Sequence, residues 1–315
     1  MLIMEAIATI MHKSLALTYS KQLHLLQSEN GGRCLNQTEI FDLIDVHLPY
    51  YALMDVCLHS ESVVTAKISP EHPIGKEVNP IASAEAYRHL ATLGSVSCAM
   101  VNPIKSKHYY LARKGAFKRV SHKTYSTSKE LILVAECISF EKEIATIRAY
   151  ILDGEDDLIC GIDISFQVIP SAVFAELFAN TYQPFFPATE NPFTKKNQLS
   201  DIQLSKNGAK AFLGKVSAYD SGHFLNHPAL PIAILLGALL DLCVHLIHHT
   251  TNSKTHIKVR EFTLLADNHA FAEETIFLHV IQENYTQQPF KLRCTAQTDT
   301  GKSVGDVTAI IDVIR

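Results

Sequence analysis

The sequence predicts an α+β fold made of one unit used twice in tandem, each unit an antiparallel sheet wrapped around a buried helix. Three observations carry this. Ala229 to Leu240 is a run of twelve residues without a charge, so a helix there must hide every face. A strand-like run precedes that helix and four runs of alternating Val, Ile and Leu follow it. A curved antiparallel sheet around the helix buries both partners. The same order of strand, helix and four strands occurs in the first half, where Pro80 precedes Pro231 by 151 residues. That period is too long for a solenoid, and two such units meet as a pseudo-dimer.

The bulk composition agrees with this reading. A chain of 315 residues corresponds to about two domains, and 47% hydrophobic content supplies full cores. A net charge of −4 gives no global argument for nucleic acid. The seven cysteines are scattered with no CxxC pair, which reads as reduced thiols in a cytoplasmic protein. Met1 to His12 carries Glu5 and lacks a basic leader region, so no signal peptide is expected. The twelve-residue apolar stretch is shorter than the roughly 20 residues of a membrane span.

In chain order, residues 1–38 form an N-terminal helical segment. Its helix runs from Glu5 to Gln27 and is stopped by Asn30-Gly31-Gly32. The first unit, 39–170, starts with a strand at Ser62 to Ile68. A loop with His72 leads to a helix from Pro80 to Met100. Strands are expected at His108 to Val120, at Glu130 to Ile151 (two, broken near Phe140-Glu141-Lys142) and at Asp157 to Val168. Residues 171–206 are a linker with a helix at Ala172 to Asn180, made irregular by Pro184, Pro187 and Pro192. The second unit, 207–315, opens with a strand at Ala209 to Ser217 and continues with a helix from Pro231 to His249. Strands follow at His256 to Leu265 and Thr275 to Gln282, with two more between Phe290 and Val313.

One motif stands out: Gly222-His223-Phe224, then Pro228 and Pro231 at the head of the apolar helix. His72 precedes Pro80 by the same eight residues. This pattern resembles the hot-dog fold and, more narrowly, the 3-hydroxyacyl-[acyl carrier protein] dehydratases, whose fingerprint reads G-H-F-P-x-x-P-x-M-P-G. Leu225, Leu230 and Ile232 depart from that fingerprint. Asn79-Pro80-Ile81-Ala82-Ser83-Ala84-Glu85-Ala86-Tyr87-Arg88-His89 is also similar to the first helix of the A-factor biosynthesis proteins, which read roughly D-P-x-x-x-A-E-x-x-R-Q and carry two hot-dog units. The resemblances cover residues 40–170 and 205–315.

The resemblance implies an enzyme of acyl thioesters. Dehydration of a 3-hydroxyacyl group needs a base at C2 and an acid at the hydroxyl. In the dehydratases the histidine and the carboxylate come from different units. Carried over, His223 is the base and Glu85, on the first helix, the acid. Gly222 and Phe224 flank the base, and the helix N-termini near Ile232 or Ile81 polarise the thioester carbonyl. The second helix has Leu236 and Gly237 where an acid belongs, so His72 faces an apolar wall and reads as structural. Dehydratases place the acid one residue later, at Ala86, about 100° around the helix; the A-factor family places it at Glu85. Arg88 lies on the same face as Glu85, where it pairs with it or holds an anionic acceptor.

Lys105, Lys107, Arg113, Lys114, Lys118 and Arg119 form a local basic cluster. It is read either as a solvated strand edge or as a dock for acyl carrier protein or for coenzyme A phosphates. No cofactor and no metal are expected; His245, His248 and His249 read as the wet end of the second helix. The leading activity is 3-hydroxyacyl-thioester dehydration in fatty-acid, polyketide or secondary-metabolite synthesis. Acyl transfer or thioester hydrolysis on the same fold, and a non-catalytic acyl-binding scaffold, remain as alternatives. The partner is a carrier-protein or coenzyme A thioester, and two such chains can pair as a homodimer.

Overall fold

The computed structural model describes residues 32–72, 76–121, 130–154, 157–184, 190–221, 224, 226–283 and 288–314. The helix expected at Glu5 to Gln27 lies outside them. In chain order the elements are β1 (Arg33–Cys34), α1 (Gln37–Phe41), β2 (Met54–Leu58), β3 (Val63–Ile68), α2 (Ser83–Val101), β4 (His108–Arg119), β5 (Leu131–Glu141), β6 (Ile144–Leu152) and β7 (Leu158–Pro170). These are followed by α3 (Ser171–Leu177), β8 (Ser200–Leu204), β9 (Gly208–Lys215), α4 (Ile232–Thr251), β10 (His256–Leu265), β11 (Thr275–Gln282), β12 (Phe290–Thr298) and β13 (Ser303–Ile314).

Sixteen of the nineteen residues of α2 are buried. A helix hidden on that many sides needs a sheet curling around it, and the strand order supplies one. A single sheet runs β1-β2-β3-β5-β6-β7-β4-β10-β13-β12-β11-β9-β8. Its first half wraps α2 and its second half wraps α4. Within each half the order is first, third, fourth, fifth, second strand: β3-β5-β6-β7-β4 and β9-β11-β12-β13-β10. This is the predicted double hot-dog. The halves join where β4 pairs antiparallel with β10, from Lys118 opposite Glu261 to Lys114 opposite Leu265. One apolar core runs through both units and includes residues of both long helices.

The two helices approach through small residues. A Cβ on Gly237 of α4 would sit 3.8 Å from Ala84 Cβ of α2 and 3.1 Å from Asn197 Nδ2. That contact gives a physical reason for the missing carboxylate on the second helix: the position is used for packing. α4 is long and apolar enough to cross a membrane, but here most of it is buried inside the fold.

A second close approach fixes α2 on the seam strand. A Cβ on Gly115 of β4 would stand 2.3 Å from the hydroxyl of Tyr87, a fully buried side chain. Gly115→Ala therefore drives a packed ring out of place and is expected to cost about 1–3 kcal/mol. Urea unfolding reads this as a lower midpoint; an unchanged midpoint contradicts the contact.

Four short elements were not expected: β1, α1, β2 and β8. β8 at one rim of the sheet, and β2 next to the two-residue rim strand β1 at the other, share one device. Asp55 and Asp201 each take a left-handed φ of 49°, beside a register shift in the pairing to β3 and to β9 respectively. Asp is among the few residues that tolerate this conformation.

Candidate functional site

The N-termini of the two long helices differ. At α2, Glu77 reaches the first turn: its carboxylate accepts from the Ser83 amide (3.0 Å), from the Ser83 hydroxyl (2.5 Å) and from Asn79 (2.7 Å). Arg119 lies over the same group, 3.4 Å from Glu77 and 3.1 Å from the Ile81 carbonyl. The partial positive end of α2 is thus filled by the protein's own carboxylate, which removes the role expected at Ile81. At α4, Pro231 is the cap and offers no side-chain bond. Among the described residues no side chain accepts from the first-turn amides of α4.

α4 opens into a cavity of about 120 Å³ between the units. Leu230, Pro231, Ile232 and Ala233 bring the start of α4 to it, and Arg88, Ala91, Thr92 and Ser95 bring one face of α2. Phe193 of the linker, Phe224, and Asn268 and His269 after β10 close it. Ile232 and Phe224 line this cavity. Gly222 and His223 lie outside the described residues, so the pairing of His223 with Glu85 is not described.

Glu85 is 1% exposed and does not line the cavity. Its carboxylate instead accepts from the backbone amides of Glu71 (2.5 Å) and His72 (3.3 Å). It anchors the loop that enters α2, and nothing in this arrangement aims it at a ligand. This corrects its placement as the facing acid. The cause is a loop fourteen residues upstream that claims the carboxylate.

Arg88, only 6% exposed, does reach the cavity. Its Nη2 donates to Glu71 Oε2 (2.5 Å) and to His89 Nε2 (2.9 Å), and the guanidinium lies 3.8 Å over the Phe193 ring. Among the described residues, Nε and Nη1 are buried without a hydrogen-bond partner. Arginine carries five N–H donors, so three are left without an acceptor. Burial lowers the pKa of Arg88, opposed by the charge of Glu71.

His72 stacks on the other neighbour of this cluster, 5.7 Å from Phe193 at 15°. Burial holds it down at about 4, against the charge of Glu85, so it is neutral at neutral pH. His89 is pulled well below its usual range by burial and then by Arg88. Glu71, Glu85 and His89 offer ligand atoms within 4.8 Å of one another. The guanidinium of Arg88 already bonds two of the three, so a cation stands where a metal would.

His269 is the residue the sequence reading missed. Its ring sits among Phe178, Phe224 and Phe271 at 5.7–6.2 Å and lines the cavity beside Asn268. Burial first, then the charges of Arg113 and Lys302, hold it at about 4. Only the pairing of β10 with β4 brings this loop to the first unit, as the Ala266 amide donates to the Arg113 carbonyl at 2.9 Å. The local signal was the polar triplet Asp267-Asn268-His269 after an apolar strand. His227, by contrast, is buried with Nδ1 3.2 Å from the Thr181 hydroxyl.

The basic cluster does not form one surface. Arg119 is buried on Glu77, which corrects its placement as a carrier contact. Lys105 donates to the Ala99 and Met100 carbonyls at the end of α2, and Lys107 pairs with Asp45 at 3.3 Å. Arg113 bonds Gln167 and Asp267. Lys114 is exposed and Lys118 half-exposed. His248 bonds the Thr255 carbonyl at 2.8 Å, and His245 and His249 are exposed at the end of α4.

Fold and cavity define a double hot-dog chain with a cavity between its units. No family model matches the chain, and no curated protein matches it. Among solved structures it is similar to a putative thioesterase from Novosphingobium aromaticivorans, with 11% identity over 85% of this chain and 100% of that one and a TM-score of 0.52. It is also similar to the 12:0-ACP thioesterase from Umbellularia californica, with 8% identity over 80% and 94% and a TM-score of 0.52. A third is a hot-dog protein of unknown function from Alicyclobacillus acidocaldarius, with 8% identity over 81% and 94% and a TM-score of 0.50. At such identities the likeness establishes the fold.

Proposed function

We propose that the protein hydrolyses acyl thioesters with short acyl groups, delivered on acyl carrier protein or coenzyme A. The observation that carries this is the N-terminus of α4, which opens into the inter-unit cavity and is capped by no side chain among the described residues, while the equivalent terminus of α2 is filled by Glu77. A thioester carbonyl set at that terminus gains the amides of Ile232 and Ala233 as donors, that of Ile234 being bonded to the Pro231 carbonyl, and they stabilise the oxyanion formed when water attacks. The C–S bond then breaks, the acyl group leaves as a carboxylic acid and the sulfur takes a proton. His269, neutral in the cavity wall, takes the proton from the water, and Asn268 holds that water. His223, one residue before Phe224, is the second candidate base. The similar structures named as thioesterases support the same chemistry.

Hydrolysis is favoured over dehydration because dehydration needs a carboxylic acid on the wall. The described lining holds none, and Glu85 is committed to backbone amides. The size follows from the volume: a dry cavity of about 150 Å³ takes one benzene, so about 120 Å³ takes an acyl group of a few carbons. Arg113, Lys114 and Lys118 are the basic groups left to meet the phosphates of the carrier.

The test is release of free thiol from acyl-coenzyme A and acyl-carrier thioesters of two to twelve carbons, measured with a thiol reagent. We expect activity on the short members, and a loss of about 10²–10⁴-fold when the base is removed in His269→Ala. If His223→Ala shows that loss and His269→Ala does not, His223 is the base. Absence of hydrolysis across the panel removes the proposal.

The pH profile gives a further check. A base held at about 4 is unprotonated at any higher pH, so the rate is flat through neutrality and falls only as pH drops through about 4. An ordinary histidine base puts that fall near 6.5. Stability moves with the same sign. The unfolded chain takes up a proton below the usual value of 6.5 and the folded chain only near 4, so stability declines as pH falls across that interval.

A further inference from the structure

We infer that Cys34 and Cys57 form a reversible disulfide that fastens the rim strand β1 to β2 and so holds the segment 35–56 against the cavities it lines. The inference stands apart from the thioester reading, since it needs neither an acyl group nor a catalytic base.

Six of the seven cysteines come together in three pairs: Cys34 with Cys57, Cys98 with Cys137, and Cys243 with Cys294. Both members of the second and third pairs are buried, as is Cys160. Only the first pair meets solvent, with Cys34 exposed and Cys57 half-buried. A dissolved oxidant therefore reaches this pair ahead of the other thiols.

The backbone is already set for the bond. Cys34 stands directly opposite Cys57 in the antiparallel pairing of β1 with β2. The Leu35 amide donates to the Val56 carbonyl at 2.8 Å, which makes that neighbouring pair a hydrogen-bonded one. Bonded and non-bonded pairs alternate along such a ladder, so Cys34 and Cys57 form a non-bonded pair, with Cα atoms about 4.5 Å apart. A disulfide spans Cα separations of about 4.4–6.8 Å. The two side chains share one face of the sheet, and their Sγ atoms are in contact at 2.7 Å.

A small disulfide such as oxidised glutathione serves as the oxidant. The Cys34 thiolate attacks one of its sulfurs, the S–S bond breaks and one glutathione thiol leaves. The Cys57 thiolate then attacks Cys34 Sγ and releases the second. Two protein thiols are oxidised, and one glutathione disulfide is reduced to two thiols. The order follows from the surroundings. Burial first, then the hydrogen bond to Cys34, raise the Cys57 thiol to about 11, so the exposed Cys34 attacks first. Once Cys34 carries glutathione its thiol hydrogen bond is gone, and the charge of Lys67 favours the Cys57 thiolate.

The segment between the two cysteines carries Val46 and Tyr50, which line the inter-unit cavity. It also carries Asp45, which lines a second cavity with Tyr109 and His227. One end of the segment enters the sheet through β2, which pairs with β3. The other end enters it through the two residues of β1. So short a ladder at a sheet rim opens at small cost, and a covalent bond there keeps it shut.

The experiment uses the full chain, folded and reduced, then treated with oxidised glutathione. Peptide mapping without reduction is expected to link the Cys34 and Cys57 peptides and to leave the other cysteines free for alkylation after denaturation. The melting temperature rises by about 3–10 °C, the range for one disulfide in a chain of this size, and dithiothreitol reverses the rise. Amide hydrogen exchange in residues 35–56 slows about 10-fold or more. Cys34→Ser and Cys57→Ser each abolish both effects. A lasting glutathione adduct on Cys34 with Cys57 free, a disulfide between two chains, or oxidation of a buried pair instead overturns the inference. A Cys34–Cys57 bond that leaves exchange in 35–56 unchanged overturns the fastening. Absence of thioester hydrolysis bears on none of these readouts.

Discussion

Aspartate in place of Ile232 is expected to extinguish the proposed thioester hydrolysis and to leave the fold intact. The chain contains its own precedent, because Glu77 places a carboxylate on the first turn of α2, 3.0 Å from the Ser83 amide. Ile232 is the first residue of α4 and lines the cavity. An aspartate there brings the same anion to the open terminus, where the helix dipole and free amides hold it with about 0.3–1 kcal/mol of stabilisation. It then sits where the carbonyl oxygen must go. Loss of one oxyanion donor costs about 10²–10³-fold in rate, and an aspartate that takes up both amides costs at least as much. The measurement is kcat/KM on a short acyl thioester beside the melting temperature. Full activity in Ile232→Asp would mean that the carbonyl is bound elsewhere, and unfolding of the variant would be answered by the smaller, uncharged Ile232→Asn.

Removing Arg119 has the largest expected effect on stability. The side chain of Arg119 is 1% exposed and its partner Glu77 12%. Arg119→Met leaves Glu77 as a nearly buried anion with only hydroxyl, amide and Asn79 donors. Breaking such a pair by deleting one partner costs about 3–5 kcal/mol, seen as a fall in the denaturant midpoint. Replacing both, in Glu77→Leu with Arg119→Met, is expected to recover much of the loss, since the buried charge goes with its partner. A single-variant loss below about 1 kcal/mol would mean that water screens the pair. The inter-unit cavity does not use either residue, so activity per folded molecule is unchanged.

These two sites show how far the sequence could be read. The fold was legible because strand and helix periods alternate in the same order twice. The strands at His256–Leu265 and Thr275–Gln282 lie where alternation placed them. β2 and β8 escaped because each is five residues long and contains an aspartate in a bulge. Of the candidate site, the motif around His223 drew attention to a loop whose Phe224, with Ile232, lines the cavity. Helical spacing could not show that Glu85 turns to a loop rather than to a ligand. The amides that hold it come from Glu71 and His72, and no spacing rule joins those positions. Arg88, one turn on, keeps the cavity-facing role. His269 was invisible for a similar reason: it reaches the site only through the pairing of two strands 150 residues apart.

The bulges at Asp55 and Asp201 bear on what happens at high protein concentration. A thirteen-stranded sheet that does not close into a barrel ends in two rims, and each rim is a template for another chain's strand. At one rim β8, and at the other β2 beside the two-residue rim strand β1, are interrupted by an aspartate with a left-handed φ. A second molecule cannot continue the ladder past such a point without leaving amides unpaired. Duplication of the unit thus supplied two halves that join at β4 and β10, and a stop at each outer end that keeps the joining from going on into fibres.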